Sequence, residues 1–158
     1  WHRLDAKVYK ERYPKAKVLC PGGSRKKVEE VVAVDGTYDD LPADEHVSLQ
    51  TLEGMKRVEG VMIVRDEDTS LVVTDAVFNM PHLPGIQGFV LKHLTQSSGG
   101  PKVSRVAKLF MIQDKKAFAD DLDHLAELPA LKRIVVGHHE IIDDDPRGAL
   151  RAVAASLR

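Results

Sequence analysis

The sequence predicts one domain of mixed α/β (α+β) class, and three observations lead to that prediction. The chain has 158 residues, and a single domain usually contains about 100–200 residues. It is 43% hydrophobic and 30% charged, which is typical of a globular protein with a packed core. Short apolar runs that suit strands share the chain with longer segments in which apolar residues recur at helical spacing.

The first part of the chain is predicted to contain short elements separated by turns. Residues 4–13 have partial helical spacing and are predicted to form a short helix. Residues 17–20 are predicted to form a short strand. Ser24 is a candidate N-cap for a brief helix through Glu30. Residues 35–46 are polar and rich in acids, and we expect a loop there.

The middle of the chain is predicted to form a meander of three strands. Residues 47–52 alternate between apolar and polar side chains, as a half-buried strand does. Residues 60–64 and 70–73 are continuous apolar runs, joined by the charged segment 65–69. The last of these runs leads directly to Asp75, so a carboxylate is expected where that strand ends.

The remainder of the chain is predicted to be mostly helical, with one buried strand at residues 134–136. The segments with helical features are, in order, 85–96, 103–112 and 114–128. Asp114 is the predicted cap of the third segment. Asp145 is the predicted cap of a last helix, which has Pro146 at its first position.

Composition excludes several classes of function. The net charge of −1 gives no basic excess for binding nucleic acid, and no apolar run approaches the ~18–20 residues that span a bilayer. The only cysteine, Cys20, excludes a disulfide framework and is expected to be a buried, inert thiol. We therefore expect a cytoplasmic protein, with no prediction of its oligomeric state. Because the chain begins with Trp1 rather than Met, we expect that an N-terminal segment is missing.

Two strand ends carry the candidate site residues. Asp75 follows the run 70–73, and His138 and His139 follow the strand 134–136. Polar groups at the carboxyl ends of buried strands commonly line ligand sites, and carboxylate and imidazole are ligands for zinc, iron or manganese. His2 is a possible third ligand. From the residues alone, the alternative is that Asp75 caps a turn and the two histidines are polar surface.

Three segments resemble the metallo-β-lactamase superfamily. Residues 70–79, SLVVTDAVFN, resemble its strand-plus-Asp element, in which the Asp bridges two metal ions. Residues 131–142, LKRIVVGHHEII, resemble its last ligand element, a strand followed by a His near a Gly. Residues 2–18, in which a His precedes a helix and YPKAKV enters the next strand, resemble an uncharacterised metallo-β-lactamase-like family. Together the resemblance covers roughly residues 2–145.

The resemblance implies a fold and a set of metal ligands. The fold would be a four-layer αββα sandwich, of which this chain lacks the opening strands of the first sheet. Asp75 would take the position of the metal-bridging Asp and the catalytic role that belongs to it. His138 would be the final His ligand, with His139 as the alternative if the match shifts by one place. His2 would lie near the end of the first metal-binding loop.

The chain also departs from the superfamily pattern. The hallmark His-x-His-x-Asp-His run is absent from it. We expect either that the run was lost with the N-terminal segment, with His2 to Asp5 as its remnant, or that this subfamily never had it. The middle His ligand has no counterpart at a strand end, so Glu53 or Glu59 is the candidate substitute.

The implied function is metal-assisted hydrolysis of an ester, thioester, lactam or phosphoester. Zinc, iron or manganese would activate a water molecule, with Asp75 holding the metal and orienting the water. The alternative is a degenerate metallo-β-lactamase-like module that binds or supports a partner without catalysis or cofactor. That alternative follows from the ligand count, because catalytic zinc needs three protein ligands and the chain offers only two credible ones, Asp75 and His138, besides His2.

Overall fold

The computed structural model describes residues 3–158, which form eight strands and six α-helices of a mixed α/β protein. The strands are β1 (Leu19–Cys20), β2 (Gly36–Thr37), β3 (Val47–Thr51), β4 (Gly60–Arg65), β5 (Thr69–Val73), β6 (Phe78–Met80), β7 (Gly100–Lys102) and β8 (Leu131–Val136). The helices are α1 (Ala6–Arg12), α2 (Arg25–Glu29), α3 (Gly85–Phe89), α4 (Arg105–Phe110), α5 (Lys115–Ala126) and α6 (Pro146–Ala155). A π-helical turn, Val90–Leu94, continues α3.

A four-stranded sheet in the order β3-β4-β5-β8 organises the fold. The predicted meander is confirmed, because β4 pairs antiparallel with both β3 and β5. Strand β8 joins on the far side of β5 and runs parallel to it, with Val73 opposite Val136. The parallel pairing places the carboxyl ends of β5 and β8 at the same edge of the sheet.

One face of this sheet packs against α5 and α6. Strands β4 and β5 alternate, so Val61, Ile63, Leu71 and Val73 are buried on that face. The predicted cap of α5 is confirmed, since the Asp114 side chain accepts a hydrogen bond from the amide of Ala117 at 2.9 Å. The helices contribute the opposite wall of the core with their buried apolar side chains, Phe118, Leu122, Leu125, Leu150 and Val153.

The other face of the sheet carries an apolar row that is only half-buried. Leu49, Met62, Val72 and Val135 are aligned across the four strands by the strand register. The N-terminal part of the chain lies over one end of this face and lines an open cavity of about 570 Å³ together with it. The sheet therefore has helices on one side and the segment containing β1 and α2 on part of the other.

Several predicted boundaries change in the structure. The expected loop at 35–46 contains β2, which pairs parallel with β1. Strands β6 and β7 pair with each other, although neither has a run of apolar residues long enough to predict a strand. Ser24 does not cap α2, because a 3₁₀ turn, Gly22–Ser24, gives it a helical backbone conformation, whereas an N-cap residue is non-helical. Its hydroxyl donates to the carbonyl of Val58 at 2.9 Å.

None of the helices formed by residues 3–158 has the length and apolar composition needed to cross a membrane.

Candidate functional site

The two strand ends singled out by the sequence meet in the structure. The amide of Gly137 donates to the carbonyl of Val73 at 2.9 Å, which extends the pairing of β5 and β8 past the ends of both strands. Asp75 and His138 each lie two residues beyond the paired Val73 and Val136. His138 Nε2 is 2.8 Å from Asp75 Oδ1, although the two residues are 63 positions apart in sequence. Their roles as metal ligands remain a prediction.

The imidazole of His138 is also held by an aromatic ring. Phe78, the first residue of β6, stacks on it with the ring centroids 4.4 Å apart and the planes 4° from parallel. The side chain of His138 is 30% exposed and that of Asp75 is 13% exposed. The pair is therefore restrained by its neighbours and still open to a small ligand.

The structure distinguishes between the two adjacent histidines. His139 has a left-handed backbone conformation with a φ of 78° and forms a parallel bridge with Asn79. Its Nδ1 lies 3.7 Å from a carboxylate oxygen of Glu140. Of the two histidines, His138 is the one that contacts Asp75.

Glu59 is a buried carboxylate directly behind Asp75. Its Oε2 accepts a hydrogen bond from the Thr74 hydroxyl at 2.5 Å and from the amide of Asp75 at 3.3 Å. Burial raises the pKa of Glu59, and the nearby charge of Asp75 adds to that increase. These hydrogen bonds hold the backbone at Thr74 and Asp75 in place.

Glu53, the other proposed substitute for the middle His ligand, lies elsewhere. Its side chain is exposed, and its amide donates to Asp121 of α5 at 2.9 Å. Of the two glutamates, only Glu59 contacts the backbone of Asp75.

A cavity of about 230 Å³ opens beside the pair. Its lining residues are Asp75, Phe78, Thr95, Ser97, Ser104, Val106, Ala107, Met111 and His138. The hydroxyls of Thr95 and Ser97 bond to each other at 2.8 Å, and that of Ser104 accepts from the amide of Ala107 at 3.1 Å. Because these hydroxyls are used within the protein, the wall of the cavity presents mainly carbon atoms.

The donor types of this site suit a divalent metal, but the described part of the chain supplies only two of them at the pair. Carboxylate oxygen and imidazole nitrogen are ordinary zinc ligands, and three protein ligands are usual at catalytic zinc. Among residues 3–158, no group of three or more His, Cys, Asp or Glu side chains is arranged to hold a metal ion. His2, the predicted third ligand, lies outside the described residues.

Sequence reasoning did not identify the residues that surround the pair. Phe78 stacks on His138, but the distance between these residues in sequence does not predict the contact, because only the sheet topology brings the two segments together. Ala107 and Met111 belong to an apolar pattern that is typical of any packed helix.

No protein-family model matches this sequence, and no curated protein matches it either. The functional interpretation therefore depends on the geometry of the site.

Proposed function

We propose that this chain is a metallo-β-lactamase-like hydrolase domain whose metal is held in part by Asp75 and His138. The observation that carries the proposal is the contact of 2.8 Å between these two side chains at the carboxyl ends of parallel strands. The motifs SLVVTD and IVVGH, which resemble the two ligand elements of that superfamily, are the segments that supply this pair.

The sheet supports the finer proposal of an αββα sandwich. In such a sandwich each sheet has helices on one face and the second sheet on the other. The apolar row formed by Leu49, Met62, Val72 and Val135 lies on the face away from α5 and α6 and is half-buried. Burying that row under another layer would remove apolar surface from water, which is favourable.

Each residue of the site has a distinct role in this proposal. Asp75 and His138 hold a zinc, iron or manganese ion, with His2 as the third protein ligand. When bound, such an ion would lower the pKa of its water molecule towards about 7 and so would supply a nucleophile at neutral pH. Asp75 orients that water, Phe78 fixes the plane of the His138 ring, and Glu59 holds the backbone of Asp75.

The substrate is a small molecule with a hydrolysable ester, thioester, lactam or phosphoester bond. It would approach from the cavity that Asp75 and His138 border.

Metal analysis tests the proposal directly. Purified protein, stripped with chelator and titrated with zinc by calorimetry, is expected to bind the metal stoichiometrically. Asp75→Ala and His138→Ala are each expected to weaken binding by more than about tenfold, because loss of even an outer-shell partner of a metal ligand usually costs about 10–100-fold in affinity. His139→Ala is the matched control and should bind zinc like the parent protein.

Three further variants test whether His2, Glu59 or Glu53 is also a metal ligand. His2→Ala should lose zinc if His2 is the third ligand. Glu59→Gln keeps an oxygen that can accept from Thr74 and Asp75, so it separates a ligand, which needs the carboxylate charge, from a group that only positions Asp75. Glu53→Gln should have no effect, given its exposed position. Zinc retained at full affinity in both Asp75→Ala and His138→Ala contradicts the proposed site.

The second candidate function is a binding or structural module without catalysis. It is favoured by the ligand count, since the described residues bring only Asp75 and His138 together at the strand ends. A parent protein that binds neither zinc nor iron nor manganese, while remaining folded, would support the module and exclude the hydrolase.

A further inference from the structure

The cavity beside Asp75 and His138 differs in chemistry from the pair itself. The pair is polar, whereas the remaining wall is formed by the Phe78 ring, by Val106, Ala107 and Met111, and by carbon atoms of residues whose hydroxyls are bonded internally. A polar reactive end joined to an apolar recess is the usual construction of a site that binds an amphipathic small molecule.

We propose that this cavity binds a small, uncharged apolar group of the substrate, such as a short acyl chain or an aromatic ring. The inference deepens the proposed function and rests on it for the reaction, because it assigns the part of the substrate that enters the cavity. The binding of the apolar group itself depends only on the cavity.

The volume sets the size of that group. An apolar cavity of about 150 Å³ is large enough to bind benzene, and this cavity measures about 230 Å³. By proportion it holds roughly six to nine carbon atoms. Each methylene group that enters is expected to raise affinity about fourfold, until the cavity is full.

The charges of the wall disfavour an anionic group in the same place. Asp75 borders the cavity, and the residues of the described chain that line it include no Lys or Arg. A phosphoryl group moved into this recess would lose its hydration without gaining a cationic partner, which is costly. The recess therefore suits the apolar part of the substrate rather than an anionic part.

Helix α4 offers variants that change the cavity in opposite directions. Ala107 lies on its inner face, is almost completely buried and lines the cavity, so Ala107→Leu fills the space. Met111 lines it from just beyond the same helix, so Met111→Ala enlarges it. Leu109 is 64% exposed on the outer face, so Leu109→Phe adds volume to the same helix without touching the cavity and serves as the matched control.

Binding is tested on metal-free protein by fluorine NMR with 4-fluorotoluene as the apolar probe and 4-fluorophenyl phosphate as the anionic probe. We expect 4-fluorotoluene to bind the parent protein, the Met111→Ala variant and the Leu109→Phe control. Ala107→Leu should weaken that binding at least tenfold while circular dichroism shows it folded. The proposal is overturned if 4-fluorotoluene does not bind the parent, if Ala107→Leu binds it normally, or if 4-fluorophenyl phosphate competes for the same place.

Turnover is tested separately, on zinc-loaded protein with p-nitrophenyl esters of two to ten acyl carbons. The preferred chain length should shorten in Ala107→Leu and lengthen in Met111→Ala, with no change in Leu109→Phe. Binding of 4-fluorotoluene without hydrolysis of any ester supports the cavity and contradicts the hydrolase. Hydrolysis that is independent of chain length supports the hydrolase and overturns the assignment of the cavity.

Discussion

The imidazole of His138 is restrained by two contacts that act on different degrees of freedom. The contact with Asp75 Oδ1 sets the direction of Nε2, and the stack on Phe78 sets the plane of the ring. Both partners come from the short segment that follows β5, so one loop positions the ring from two sides. Such restraint is what a ligand or catalytic group requires, because a loosely held side chain must be ordered when the ligand binds.

The fold lowers the reactivity of the Cys20 thiol by burying it. It ends β1, is 5% exposed, and burial raises the pKa of its thiol although Arg25 acts in the opposite direction. A raised pKa means less thiolate at pH 8 than in an unfolded chain, and the thiolate is the reactive form. We expect iodoacetamide to modify native protein at least roughly tenfold more slowly than protein in guanidinium.

The rate of iodoacetamide modification can be assigned to Cys20 because the chain contains one cysteine. The native rate should continue to rise with pH beyond the point at which the rate of the unfolded protein levels off. Equal rates for native and unfolded protein at pH 8 would contradict the burial of Cys20.

At the scale of elements, sequence patterns were sufficient wherever a local rule decides the structure. The helices α5 and α6 were predicted from an apolar stripe and an Asp cap, and both caps form. Strands β6 and β7 could not be predicted, because their short segments depend on pairing with each other across about twenty residues rather than on their own composition. Ser24 fails as a cap because the 3₁₀ turn before α2 gives it helical backbone angles, and its hydroxyl donates to the carbonyl of Val58, which is distant in sequence.

The cap of α6 gives a prediction with a close control. Asp145 accepts a hydrogen bond from the amide of Gly148 at 2.9 Å, and loss of an N-cap usually costs about 1 kcal/mol. Asp145→Ala should lower the free energy of unfolding by about that amount in urea titrations. Asp144→Ala, at the exposed neighbouring position, should change it by less than about 0.5 kcal/mol. Equal effects of the two variants would show that the cap does not stabilise α6.

The start of β4 gives a second prediction at this scale. A Cβ atom at Gly60 would lie 2.3 Å from the Tyr38 ring and 2.7 Å from the backbone oxygen of Gln50. Gly60→Ala should therefore cost about 1–3 kcal/mol, the usual range for an overpacked site. Gly22→Ala is the control, since its new Cβ would meet no atom closer than 3.9 Å. Chemical denaturation of both variants measures the difference, and a neutral Gly60→Ala would contradict the close approach of Tyr38.

At the scale of the whole molecule, the candidate site is a product of topology. The residue types at Asp75 and His138 were visible in the sequence, because each follows an apolar run. Their contact could not be predicted, because it requires β8 to pair parallel with β5 although more than fifty residues separate the two strands in sequence. No local sequence pattern predicts that β8 pairs with β5, and only the resemblance to metallo-β-lactamases suggested this pairing. Phe78 and the residues that line the cavity depend on the same choice.

One continuous core links the sheet, α4, α5 and α6, so the described part of the chain is expected to unfold cooperatively. Phe118 of α5 is completely buried in that core. Phe118→Ala should lower the free energy of unfolding by about 3–5 kcal/mol. Phe110→Ala, at a position that is 65% exposed on α4, should change it by less than about 0.5 kcal/mol. Urea titrations should be followed by far-ultraviolet circular dichroism, which reports secondary structure, and by the near-ultraviolet circular dichroism of tyrosine and phenylalanine side chains. In each protein the two signals should change in one common transition. Two separate transitions, or similar losses in the two variants, would contradict a single core, and with it the rigid sheet edge on which Asp75 and His138 meet.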